Sequence, residues 1–219
     1  MTFRVDWDED AGEELMRLPA AERRAVMSPV AKLEAFGGQL GSPHTSQVKG
    51  SRAGIRELRP RSGRSPWRAL YRRVADAMVI LAVAPEAEHD RRGFDRAVAP
   101  GRGTAEGDRR MTRRLISNAE VLDEMLQDPK FRAEWERTAL ARAVAEAVIR
   151  YRAERGLSQT ALARLLGWSQ PVVARLEAAE HNPSMDTLLT LARTLSLRVH
   201  VDVGPKTGVV AKVTKSRAA

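Results

Sequence analysis

The chain contains no cysteine, which excludes a disulfide framework and any zinc site built on thiolates. Its four histidines, His44, His89, His181 and His200, stand at no ligand spacing, so neither a metal nor another cofactor is expected. Aromatic residues make up only 5% of the 219 residues, leaving aliphatic side chains to build the cores. The longest apolar run, Ala77 to Pro85, is about half what a membrane-spanning helix needs. The opening MTFRVDWDED is acidic and lacks an apolar h-region, so no signal peptide is expected. These absences together predict a soluble, cytoplasmic protein.

Arginine is present in excess. Lysine and arginine number 37 against 28 acids, a net charge of +9, and such an excess points to a polyanionic partner, nucleic acid first. A genome that encodes arginine cheaply would give the same count, so the positions of the charges carry more information than their number. A length of 219 residues fits one large domain or two small ones.

The first half reads as an α+β domain, an antiparallel sheet covered on one side by a helical hairpin. Thr2 to Trp7 alternates as a half-buried strand does. Glu13 to Leu18 and Ala20 to Phe36 carry apolar residues at helical spacing, separated by Pro19 and closed by Gly37-Gly38. Ile55 to Arg59 and Trp67 to Val74 alternate around the turn RSGRSP, and Met78 to Val83 reads as a central strand. Between Ser42 and Arg73 stand nine cations (Lys49, Arg52, Arg56, Arg59, Arg61, Arg64, Arg68, Arg72, Arg73) and a single acid, Glu57. Like charges on adjacent strands repel unless an anion compensates them. That anion is a nucleic acid in one reading; in the other the arginines are solvated or pair with Glu86, Glu88 and Asp90.

"QVKG", "IRELRP", "WRALYRR" and "MVILAV", in this order over roughly residues 3–97, resemble the RelE/HigB-type toxins, in particular the phage Gp49-like branch. The resemblance implies metal-independent cleavage of messenger RNA on the ribosome, with Lys49, Arg59, Arg68, Tyr71 and Arg73 as catalytic residues that bind phosphate, stabilise charge and assist proton transfer. One departure stands out: the stretch after the last strand reads APEAEHDRRGF, acidic where the family carries lysines. His89 there is a candidate general base or acid, against the commoner reading of a lone surface histidine.

The second half reads as an all-α domain with a short C-terminal strand. Ser117 and Glu120 fit a capping box. Asp128-Pro129 starts a helix expected to run to Arg155, which Gly156 stops. In GLSQTALARLLGWSQPVVARLEAAEHNPSMDTLLTLARTL, Ser158 caps Gln159–Leu166, with Leu162 and Leu165 expected inward. Gly167 makes the turn, and Ser169 caps Gln170 to about Ala178, with Val173 and Leu176 inward. Ser184 to Leu195 closes the bundle through Leu188, Leu189, Leu191 and Leu195. Two short helices around a glycine turn, the second facing outward, form a helix-turn-helix. The pattern resembles the Xre/Cro-type DNA-binding domain. Double-stranded operator DNA is the expected partner, met by Ser158, Gln159, Ser169, Gln170, Pro171, Val172, Ala174 and Arg175. Gln170 suits adenine, Arg175 guanine or phosphate, and Val172 a thymine methyl. Glu177 is expected to be structural. Leu197 to Val203 alternates as a strand that pairs with a second copy or with the same chain; a homodimer is expected.

From Met111 the second half resembles a HigA-type antitoxin. The expected organisation is therefore a toxin domain at 1–99, a linker at 100–116, an antitoxin domain at 117–204 with its helix-turn-helix at about 138–196, and a basic flexible tail at 205–219. Met111 is a candidate internal start for free antitoxin.

Overall fold

Alternation in the first residues produces strand β1 (Arg4–Asp8), and Asp8 caps helix α1 (Glu9–Met16) by accepting from the Asp10 amide. The computed structural model describes residues 2–48, 54–98, 114–204 and 208–215. Its two units comprise residues 1–132 and 133–219. Lys49, Arg52, Met111 and linker residues 100–113 lie outside the described residues.

In the first unit Pro19 separates α1 from α2 (Ala20–Phe36). Helix α2 ends at Gly37, whose φ is +52° and whose missing Cβ leaves room for the Phe3 ring. Strands β2 (Thr45–Gln47), β3 (Arg56–Leu58), β4 (Trp67–Val74) and β5 (Ala77–Pro85) follow, then helix α3 (Arg91–Val98). Strand β6 (Leu115–Ser117) and helix α4 (Asn118–Met125) come after the linker. The six strands run in the order β2-β3-β4-β5-β1-β6.

Three expectations change here. The sheet is mixed, because β1 pairs parallel with β5; alternation reports which face a residue occupies but not strand direction, and the long excursion from β1 to β5 permits a parallel return. Its second face is also covered: Phe94 and Ala97 of α3 pack on Leu70, Val79 and Leu81. The third change concerns the boundary. Leu115 and Ile116, expected in the linker, enter β6, which pairs antiparallel with β1. The Trp7 indole donates to Asn118 Oδ1 at 3.0 Å, and the Asn118 amide donates to Glu34 at 3.2 Å. The Arg23 guanidinium pairs with Asp128 and lies over the buried Phe131 ring. Residues 114–132 thus complete the sheet of the first unit, although they follow the linker.

Helix α5 (Pro129–Arg137) and helix α6 (Ala139–Glu154) are two helices where one was expected, broken at Thr138. Asn182 holds the break: its side chain accepts from the Ala141 amide and donates to the Arg137 carbonyl. Helices α7 (Gln159–Leu166), α8 (Gln170–Ala178) and α9 (Met185–Leu195) follow with the expected bounds. Leu162, Val173, Leu188, Leu191 and Leu195 form their core with Val144 and Val148 of α6. Leu165 is 49% exposed and Leu189 is also exposed, against expectation: each lies next in sequence to a buried leucine, Leu166 and Leu188, and a one-residue step of about 100° carries it to the edge of the buried stripe. Strand β7 (Leu197–Gly204) pairs with β8 (Gly208–Lys215) in a two-stranded antiparallel sheet. Residues 208–215, expected in a flexible tail, are therefore a strand; a tail judged alone lacks the partner that makes its alternation count. Among the described residues no helix is long and apolar enough to cross a membrane.

Candidate nucleic-acid interfaces

In the second unit the geometry starts from a buried charge. Glu177, on the inner side of α8, is 0% exposed, and a buried carboxylate is tolerable only when paired and hydrogen-bonded. Arg152 of α6 supplies a two-toothed clamp, Nε to Oε1 at 2.8 Å and Nη2 to Oε2 at 3.2 Å, while its Nη1 holds the Leu157 carbonyl. Gln159 donates to Glu177 Oε2 at 2.7 Å. Because a carboxylate only accepts, Gln159 must turn its NH2 group inward and its carbonyl outward. That carbonyl accepts from Gln170 Nε2 at 2.8 Å. Gln170 keeps its own carbonyl and one N–H for another partner, the donor–acceptor pair that matches N6 and N7 of adenine.

The other expected DNA contacts surround this relay. Ser158 caps α7 by accepting from the Ala161 amide at 3.1 Å and is exposed. Ser169, Pro171 and Arg175 are exposed, Val172 and Ala174 half-buried. Ser169 occupies the cap position of α8 but makes no side-chain cap bond, a correction to its expected role. Its extended backbone still starts the helix, and Pro171 in the first turn needs no amide partner. Gly167 has φ +69°, so the tight turn between the two helices requires glycine. Arg152 and Asn182 escaped sequence reasoning. Glu177 was a usable signal for the first, since an acid on a buried face demands a cation.

The first unit is arranged differently. Register sets Arg56 opposite Tyr71 and Glu57 opposite Leu70, so Arg56 and Tyr71 share one face while Glu57 and Arg68 share the other. Tyr71 is buried, its hydroxyl bonded to Thr45 Oγ1 at 3.0 Å and to Arg56 Nε at 3.2 Å. Arg68 is 0% exposed. It donates to the carbonyls of Ser65, Trp67 and Gly63, pairs with Glu86, and lies 3.9 Å from Glu57. With no surface to touch a substrate, Arg68 is a scaffold for the RSGRSP turn, which corrects its expected place at the site.

Arg59 is half-exposed and stands 3.8 Å from Glu57. Arg73 is exposed at the far end of β4, opposite Met78, about 16 Å of strand from the Arg59 end. The described members of the expected catalytic set thus occupy two faces and two ends of the sheet and do not converge. His89 is exposed. The acidic departure after β5 has a structural use, since Glu86 is the carboxylate on Arg68. Arg61 likewise pairs with Glu22 at 2.8 Å.

Comparison with known families gives two separate matches. Residues 13–84 match the family described as phage derived protein Gp49-like, and residues 148–200 match the helix-turn-helix family. No curated protein and no solved structure gives a significant match to the chain. Strand β6 and helix α4 belong to neither matched stretch. The chain joins, in one polypeptide, a Gp49-like domain of the RelE/HigB-type toxin family and an Xre-type helix-turn-helix domain.

Proposed function

We propose that this protein is a fused toxin–antitoxin regulator. It binds operator DNA through α8 as a homodimeric, cytoplasmic autoregulator, and an mRNA-interferase-like domain is held inhibited in the same chain. The observation that carries the DNA half is the relay Arg152–Glu177–Gln159–Gln170, which presents one amide on an exposed helix with its donor and acceptor already oriented. Tethering places inhibitor and toxin at about millimolar effective concentration when the linker spans them. Changing Gln170 or Arg175 to alanine is expected to weaken operator binding by about 1–3 kcal/mol for each base that is no longer read. Fluorescence anisotropy on DNA upstream of the gene measures this, and unchanged affinity in both variants removes the assignment to α8.

A second reading is a plain DNA-binding regulator whose toxin-like domain is catalytically silent and serves protein contacts. The burial of Arg68 beneath Glu86 favours it. Expression of residues 1–132, which keep β6 and Asp128, separates the two: growth arrest with messenger RNA cleavage supports the toxin, and a folded but harmless fragment supports the silent module.

A further inference from the structure

Strand β7 has β8 on one edge and no strand on the other among the described residues. Its apolar face, Leu197, Val199, Val201 and Val203, begins in the core of the second unit and leaves it along the strand. Leu197 is buried, and Val199 packs on the core with Val213 of β8. Val201 is 43% exposed and Val203 72%. The opposite face carries Arg198, His200 and Asp202, whose partners across the hairpin are Thr214, Lys212 and Val210. Neither Arg198 nor Asp202 has an opposite charge directly across its own hairpin. A two-stranded hairpin is marginal alone, and an open edge flanked by exposed valines is a template for another strand.

We propose that the occupant of this edge is β7 of a second copy, paired antiparallel about His200. The sequence Leu-Arg-Val-His-Val-Asp-Val is self-complementary in that register. Leu197 faces Val203 of the copy, Val199 faces Val201, Arg198 faces Asp202, and His200 faces its equivalent. A shift by one residue would set apolar against charged positions. A shift by two would abolish the paired Arg–Asp contacts. Because the operation is a two-fold, each contact away from the axis at His200 occurs twice. The result is a continuous four-stranded sheet, β8-β7-β7-β8, in which Val201 and Val203 extend the apolar strip of the partner. This rests on the homodimer reading above and names its surface.

The full-length chain is tested by sedimentation equilibrium. Asp202→Arg and Arg198→Asp should each weaken the dimer about tenfold or more, since symmetry doubles every like-charge contact. The double variant R198D/D202R rebuilds the complementary pattern with reversed signs and should recover the dimer. In a chain without cysteine, His200→Cys should oxidise to a covalent dimer, whereas Val210→Cys should not. A dimer indifferent to all charge variants overturns this edge while leaving the dimer reading intact. A wild-type chain that stays monomeric, with and without operator DNA, overturns both.

Discussion

The two candidate nucleic-acid surfaces use arginine in opposite ways. In the second unit the buried Glu177, clamped by the half-buried Arg152, lies beneath the surface and orients two glutamines above it, leaving Arg175 exposed. In the first unit the acids reach the arginines that the sequence offered as substrate contacts: Glu86 and Glu57 hold Arg68, and Glu22 holds Arg61. A density of cations is therefore not a density of available charge. What matters is whether the paired arginine lies under the site or is itself meant to be the site.

The largest effects come from breaking the two buried pairs. Glu177→Ala strands Arg152 and Gln159 inside the second unit and should cost about 3–5 kcal/mol, with operator binding abolished as that unit unfolds. Arg68→Ala leaves Glu86 and Glu57 without their shared cation and should cost the first unit a similar amount. Operator affinity should stay unchanged in R68A. Calorimetry resolves the two transitions and anisotropy the affinity; an equal drop in affinity in both variants would break the contrast between the surfaces.

Next in size is the tie between the first unit and residues 114–132. Asn118→Ala leaves the Trp7 indole N–H buried without an acceptor, at a cost of about 1–3 kcal/mol. The midpoint of urea unfolding of the 1–132 fragment should fall accordingly. An unchanged midpoint would mean that β6 and α4 add nothing to the fold, and that the unit ends where the sequence placed it. A fragment ending at residue 99 lacks this tie altogether, so its failure to fold would say nothing about catalysis.

Helix ends were legible because their signals are local. Ser117 and Ser158 cap as expected, Ser184 caps the helix it was expected to begin, and the bounds of α7 and α8 follow from serine, glycine and a short apolar stripe. The structural role of Glu177 was legible too. What sequence could not carry was pairing at a distance. Nothing near Trp7 says that its neighbours are Ile80 on one side and Ile116, more than a hundred residues away, on the other. Helix α3 is too short, at eight residues, for a period to stand out from its charges. Arg68 looked like a site residue because the Gp49-like resemblance carries it over; the other reading of these arginines, pairing with the acids after the last strand, is the one that Glu86 meets.

The smallest effect concerns acid. Hydrogen bonding to the Lys130 amide, and then the Arg23 guanidinium, hold the Asp128 carboxyl below its usual range. The Ser117 hydroxyl and then its backbone amide do the same for Glu120. Both groups are depressed in the folded state. Their contribution is therefore fully present above the unfolded values, near 3.9 and 4.3, and is lost as pH falls through the lower folded values. Between pH 8 and 5 neither group should change the stability of the first unit. Below about pH 4 the β6 and α4 segment should loosen first, seen as faster amide exchange over residues 115–131 than over β4 and β5. Asp128→Asn removes the titrating group and should flatten part of that response. If wild type and D128N respond identically between pH 5 and 3, the Arg23–Asp128 pair is not what ties residues 114–132 to the sheet, and β6 and Asn118 carry the attachment alone.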